Sequence, residues 1–522
     1  MNAIELNLFS SQISAICDEM GSVLQHSAFS PNIKDRLDFS CAVFDPQGEL
    51  CAQAAHIPVH LGSMAFAMAS IVRATDWHPG DVMVLNDPFL GGTHLPDVTV
   101  VSPVIDQDCG TLLGFVANRA HHANIGCDKP GSMPISRSLT EEGRIIPPTL
   151  LYRRGALQEE ALSVLGVDRP EQLEPDFVAQ FSANKIGVKR FQSLVATLGI
   201  KAFFARLNEL NHYAERLALS VLAKLTPGIY RFEDYLDDDG VGGKNILLAV
   251  SVEISPERIV MDFNGSAYQV AGNLNCPLSV AAASAFYCFR CLMPAFTPSC
   301  AGTFRPVQIQ AEQGLVVNAK RPAAVAAGNV ETSMRLVDVI FGAFAKAAPR
   351  QIPAASQGTM NNIAMGFINS DGSRWDYYET LAGGVGAGPG YPGANAVHSH
   401  MTNTLNTPVE SLEMHFPVRI IEYSVRKGSG GAGRHAGGNG IVRHYEFLST
   451  ADVTLLTERR FHRPWGLAGG TDGASGRNLL NDRELPAKVE FRAKPGDRLT
   501  VLTPGGGGFG PAEEPTAVQT AS

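Results

Sequence analysis

Four side chains able to hold a metal ion or move protons fall within 29 residues: His94 and Asp97 in GGTHLPDVT, then His121 and His122 in ANRAHHANIG. Imidazole and carboxylate suit zinc, manganese or iron, and three protein ligands leave a position open for water or substrate. Pro96 and the paired glycines Gly91 and Gly92 disfavour a helix around His94 and Asp97. An extended loop with a three-residue step still curls enough to bring both side chains to one ion. The HH pair ends an apolar, strand-like run, where successive side chains point to opposite faces. One of the two histidines is therefore expected at the ion, leaving the other to orient substrate or move protons. HxxD alone is a weak pattern, because loop histidines are commonly surface groups or satisfied hydrogen-bond partners. What singles this one out is convergence: a Gly-rich loop tip, two strand ends and HH on the neighbouring strand.

Other candidates read more evenly. Asp38 precedes an apolar run and suits either a general base or a turn cap. His56 and His60 in HIPVHLGS would share a face if extended, which makes a polar edge near the site the plainer reading. His398 and His400 in AVHSHMTNT have the same spacing and either line a substrate pocket or face solvent. Arg335 in GNVETSMRLVD falls on a helical pattern, where an ordinary ion pair is the default. Cys288 and Cys291 form a CxxC without a second pair at zinc-ribbon spacing, so they read as reduced core cysteines.

The elements that must position these groups follow from periodicity. Residues 4–29 carry apolar side chains at helical spacing, and DFSCAVFD–PQGE–LCAQAA alternates as a hairpin. A helix is expected over 61–75. Strands are expected at DVMVLND, VTVVSPVID and TLLGFVANRAHH, lying near one another as sequence neighbours in a sheet often do. Residues 170–225 are the clearest helical region. The remainder is strand-rich, with two buried helices at LSVAAASAFYCFRCL and ETSMRLVDVIFGAFAKA. The glycine runs GGVGAGPGYPGAN, GSGGAGRHAGGNG and PGGGGFG lack the spacing of a phosphate loop and read as tight turns and close backbone approach. The chain carries no recognisable ATP site.

At 522 residues the chain exceeds one hydrophobic core, and its composition is globular. The reading is an α+β, mixed multi-domain fold with helical segments in the N-terminal half and a strand-rich C-terminal half. Its expected divisions are a metal-bearing region 1–225, a central α/β region 226–425 and a Gly-rich β region 426–522. A net charge of −9 without a basic block argues against nucleic acid. The opening residues lack a secretory pattern, no apolar run is long enough for a membrane, and the odd count of nine cysteines suits a reducing cytoplasm.

Long ordered segments carry a resemblance. SPNIKDRLDFSCAVFDPQGELCAQAAHIPVHLGSM, GDVMVLNDPFLGGTHLPDVTVVSPV and ANRAHHANIG resemble the hydantoinase B/oxoprolinase family, which also contains subunits of acetone and acetophenone carboxylases. Later blocks, including GNVETSMRLVD, HSHMTNTLNTPVESLE and ERRFHRPWGLAGG, extend the similarity from about residue 5 to 511. The resemblance implies a two-part machine. An A-type subunit uses ATP and Mg to phosphorylate the substrate's carbonyl oxygen, and a divalent metal in the B-type subunit completes hydrolysis or carboxylation. The family's metal motif falls on His94, Asp97 and one of His121 or His122, with His121 favoured. His122 or Asp38 then serves as general acid or base. The implied substrate is a small cyclic amide such as a hydantoin or 5-oxoproline, and the implied assembly is a heterotetramer. The alternatives are a ketone carboxylase subunit and a non-catalytic scaffold for the ATP-binding partner.

Overall fold

A computed structural model describes residues 3–54, 56–368, 370 and 373–512. The opening periodicity forms helix α1 (Ala3–Ser27), which buries Phe9, Ile13, Ile16, Met20 and Leu24 along one stripe. That stripe lies against the helix Pro175–Leu198 and the first strands of the main sheet.

Seven strands build this sheet: β1 (Phe39–Phe44), β2 (Leu50–Gln53), β3 (Val82–Leu85), β4 (Asp97–Ile105), β5 (Leu112–His121), β6 (Thr149–Arg153) and β7 (Ala156–Leu157). Their order is β2-β1-β5-β4-β3-β6-β7, and every pairing is antiparallel. The three segments expected to be neighbours, β3, β4 and β5, are adjacent. Helices cover both faces, which explains why the strands read as continuous apolar runs. Cys41 and Val43 join Phe9 and Phe191 on one face. Ala42 and Phe44 join Leu61, Met64 and Met68 on the other.

The covering helix of that second face runs Pro58–Arg73, with proline in its first turn. It begins earlier than the spacing suggested, and this corrects the reading of His56 and His60 as one face of a strand. His60 sits in the helix's first turn and points to the sheet end. His56 Nδ1 instead accepts from the Cys41 amide.

A second layer holds a four-stranded sheet (including Gly228–Asp238 and Lys244–Ile254) and the two expected helices, Leu278–Cys291 and Ser333–Ala347. The latter is entered through a π-helical turn, Gly328–Thr332, buried throughout. Two further sheets follow, one of which carries the strand Arg374–Glu379. The late glycine runs thread among one another, backbone on backbone. A Cβ on Gly438 would lie 1.9 Å from the Ala394 carbonyl oxygen, and one on Gly506 2.2 Å from that of Val385. A buried charge network ties the layers: Arg459 pairs with Asp234 and Asp338 at 2.8 and 2.6 Å, and Arg335 with Glu458 at 3.2 Å. No described helix is long and apolar enough to cross a membrane.

The helices Pro58–Arg73 and Leu278–Cys291 cross where a Cβ on Gly62 would lie 2.5 Å from the Ala283 Cα. Gly62→Ala must therefore push the second layer away from the helix that carries His60. We predict a loss of about 1–3 kcal/mol, the usual cost of overpacking, read as a lowered urea midpoint at unchanged slope.

Candidate metal centre

The register of β4 and β5 places Asp97 directly opposite His121 at the end of the sheet. The His122 amide donates to the Pro96 carbonyl and the His121 amide to that of Asp38, so the sheet end is closed by backbone hydrogen bonds. His94 comes from the loop before β4. Gly91 there has φ 109°, and a Cβ on Gly92 would meet the Asn86 carbonyl oxygen at 2.3 Å, so the loop tip requires both glycines. Buried Arg119 fixes the surroundings. It donates to Thr99 Oγ1 on β4, to Ser63 Oγ one turn after His60, and to the Gly91 carbonyl.

His94, Asp97 and His121 are fully or almost fully buried, and one ligand atom from each lies within 4.8 Å of the other two. His94 Nε2 stands 3.3 Å from Asp97 Oδ1, and His60 Nε2 stands 3.2 Å from the same oxygen. The opposite sides of these groups are held. His94 Nδ1 donates to the Ala326 carbonyl at 3.3 Å. Asp97 Oδ2 accepts from Thr93 Oγ1 at 2.6 Å and from Asn329 Nδ2 at 3.2 Å. The His121 ring stacks on Tyr378, 4.7 Å away and 3° from parallel, with its Nδ1 3.2 Å from the Asn32 amide. Such contacts fix ring orientation and leave the far nitrogen for an ion.

The inward atoms are the telling ones. His94 Nε2, Asp97 Oδ1 and His121 Nε2 are buried with no hydrogen-bonding partner among the described residues. Each such orphan costs about 1–3 kcal/mol, and a single cation would satisfy all three. Burial pushes the Asp97 carboxyl up, but His60 and His94 outweigh it and hold it well below the usual carboxylate range. Burial disfavours charge on His94 too, yet Asp97 more than offsets this and raises it. Burial, then the neighbouring His94, pushes His121 well down. An ionised carboxylate beside a neutral imidazole is a ready donor set, and a cation would displace the proton that Asp97 favours on His94. Two nitrogens and one oxygen fit zinc, manganese or iron.

Asp38 lies beside the cluster, its Oδ1 3.9 Å from His60 Nε2 and its Oδ2 3.7 Å from Arg36. Burial raises its carboxyl against the opposing pull of Arg36 and His60. With His60 and His121 it lines a cavity of about 20 Å³, room for about one water.

Among the residues singled out by sequence, the fold brings together His94, Asp97, His121, Asp38 and His60. It leaves His122 outside. That ring points to the opposite sheet face, where its Nε2 lies 2.9 Å from Gln180 Oε1 and it packs 4.4 Å from Phe177. Arg335 is a buried ion-pair partner of Glu458, away from this cluster. Among the described residues every cysteine is free, with Cys288 buried and Cys291 exposed. Sequence reading missed Thr93, Asn329, Tyr378 and Glu142. Glu142, fully buried, accepts from Ser136 Oγ and the amides of Val325 and Ala326, which steadies the carbonyl that holds His94. Asn329 stood in a recognised block, GNVETS, whereas nothing local marked Glu142.

A sheet end carrying a buried two-histidine, one-aspartate cluster defines a protein with a candidate metal centre. The chain belongs to the hydantoinase B/oxoprolinase family, whose description matches residues 2–512. It is 38% identical to 5-oxoprolinase 1 of Arabidopsis thaliana over 98% of this chain but 42% of that protein, so it spans about two fifths of that relative's length. It is 29% identical to a putative D-/L-hydantoinase B-type chain of a Pseudomonas strain, covering 98% of this chain and 90% of that one. Its fold is similar to the crystal structure of an ATP-dependent caprolactamase from Pseudomonas jessenii, with TM-score 0.89 and 25% identity over 98% of this chain and 91% of that one.

The opposed faces of the HH pair give a contrast. His121→Ala is predicted to abolish retention of a divalent ion, while His122→Ala retains it and loses about 1–3 kcal/mol of stability with the Gln180 contact. Elemental analysis of gel-filtered protein checks this, and equal metal in both variants would contradict the ligand assignment.

Proposed function

We propose that this chain is the metal-bearing B-type part of an ATP-dependent cyclic amidohydrolase. It would work in the cytoplasm, docked in a heterotetramer with an A-type subunit that uses ATP and Mg to phosphorylate a ring carbonyl oxygen. The substrate class is a hydantoin, 5-oxoproline or related lactam. The observation that carries this reading is the set of three orphaned atoms, His94 Nε2, Asp97 Oδ1 and His121 Nε2, beside a cavity lined by Asp38.

A resonance-stabilised amide resists neutral water, and phosphorylation of its oxygen makes the ring carbon a better electrophile. When bound by His94, Asp97 and His121, a divalent ion supplies Lewis acidity beside that carbon. The chain's own residues do the rest. Thr93 and Asn329 hold Asp97 Oδ2 so that Oδ1 faces inward. Ala326 fixes the His94 ring. Asp38 accepts the proton of the attacking water and returns it to the ring nitrogen as the C–N bond breaks, which leaves an acyl phosphate that a second water hydrolyses to carboxylate and inorganic phosphate. Burial of the cluster keeps bulk water from the activated ring. The separate ATP-using partner is supported by the lack of a phosphate-loop motif and by a relative of similar length whose name makes it one subunit of a hydantoinase.

The test is ring opening by the chain co-purified with its partner, across a hydantoin, lactam, 5-oxoproline and ketone panel. ATP-dependent opening of a ring amide is expected, with no phosphate release by this chain alone. Asp38→Asn should lower kcat by about 10²–10⁴-fold at unchanged metal content. Carboxylation of a ketone without ring opening would replace this reading with the carboxylase one.

A further inference from the structure

The segment His398–Thr404 separates two spaces. Met401, Thr402 and Thr404 line the small cavity beside Asp38 and His121. On its other side His398, Ser399, His400, Thr402 and Asn403 line a cleft of about 460 Å³, a volume usual for small-molecule sites at ~300–1,000 Å³. Thr402 belongs to both walls. The partition between the cleft and the candidate metal centre is one strand of chain thick.

The cleft's composition specifies what it takes. No Lys, Arg, Asp or Glu lines it among the described residues, and Phe341, Ile352, Pro353 and Val385 form an apolar side. The facing polar side is incompletely satisfied: His398 Nε2, Ser399 Oγ and His400 Nε2 are buried without hydrogen-bond partners. His400 has φ 59°, a left-handed conformation that a side-chain-bearing residue adopts sparingly, often at functional positions. Its Nε2 faces Asp338 Oδ1 at 3.7 Å, and Asp338 is itself anchored by Arg459. Its Nδ1 lies 3.4 Å from the Tyr287 hydroxyl, another cleft residue. Burial holds His400 down to about 4, so near neutral pH its ring offers one N–H and one lone pair.

We propose that this cleft is the binding subsite for a ring amide before its carbonyl oxygen is phosphorylated, with its apolar wall against the ring's methylene edge. Asp338 draws the His400 proton to Nε2, and Nδ1 accepts from Tyr287. The Tyr287 oxygen then accepts the ring N–H. The Ser399 hydroxyl, buried without a partner, donates to the ring carbonyl. One acceptor beside one donor is the complement of an amide edge. This inference rests on the ring-amide reading above and adds the residues that recognise the ring.

Cys291 lines the same cleft and is exposed, while exposed Cys109 lies in the β4–β5 hairpin on another part of the molecule. Alkylation of the full chain by N-ethylmaleimide, followed by mass spectrometry, thus reports the cleft with an internal control. Hydantoin, 2-pyrrolidinone and 5-oxoproline serve as separate probes. At least one is expected to slow Cys291 alkylation fivefold or more while leaving Cys109 unchanged. Tyr287→Phe and Ser399→Ala should each raise the half-protecting concentration about five- to tenfold at unchanged metal content. Cys291 reacting equally fast with and without all three probes would overturn the proposal, as would protection unchanged in both variants. Protection in a chain that retains no metal would uphold the subsite while defeating the metal reading, so the two fail separately.

Discussion

A carboxylate with one oxygen satisfied and one bare, sealed at the end of a buried sheet, is the constraint around which this chain is arranged. Asp97 Oδ2 has Thr93 and Asn329; Oδ1 has two imidazole edges at 3.2 and 3.3 Å without hydrogen-bond geometry. Removing such a group from water is expensive unless its charge is matched. The fold tolerates it by surrounding the bare oxygen with His60, His94 and, one ligand position away, His121. Everything that orients those three rings belongs to the cost of keeping the site.

Those orienting parts come from distant stretches of chain. His60 arrives on a helix whose approach is set by Gly62 against Ala283, and Arg119 pins that helix, the glycine loop and β4 to one another. Asn329 sits in the buried π-turn, and Ala326, steadied by Glu142, lies just before it. Tyr378 comes from a different sheet to stack on His121. The candidate ligands lie close together in sequence, and the groups that aim them do not.

This division explains what was legible beforehand. Strand neighbours β3, β4 and β5, the helical region after residue 170 and the opposed faces of His121 and His122 follow from periods of 2 and 3.6, which are local properties. The backbone packing expected of the glycine runs is likewise a local requirement. His60 reads as an edge histidine in the sequence because the helix start at Pro58 depends on what the helix covers, and a shift of three residues makes it a neighbour of Asp97. Glu142 and Tyr378 act only through tertiary contact, and no spacing rule reaches across the hundreds of residues that separate such partners.

The pairing of Asp97 with His121 has a consequence for how such chains can vary in length. The hairpin between β4 and β5 turns at the far end of both strands, so residues added there leave the ladder untouched. One residue gained between Phe115 and His121 would bring Ala120 under Tyr378 and turn His121 toward Phe177, whereas one residue lost would carry His122 into the place opposite Asp97. An added residue is therefore free at one end of this ribbon and costly along its last few residues, and the doubled histidine covers the opposite slip. A homologue's capacity to hold an ion can be judged from whether a histidine falls opposite the aspartate, even where the surrounding sequence has drifted.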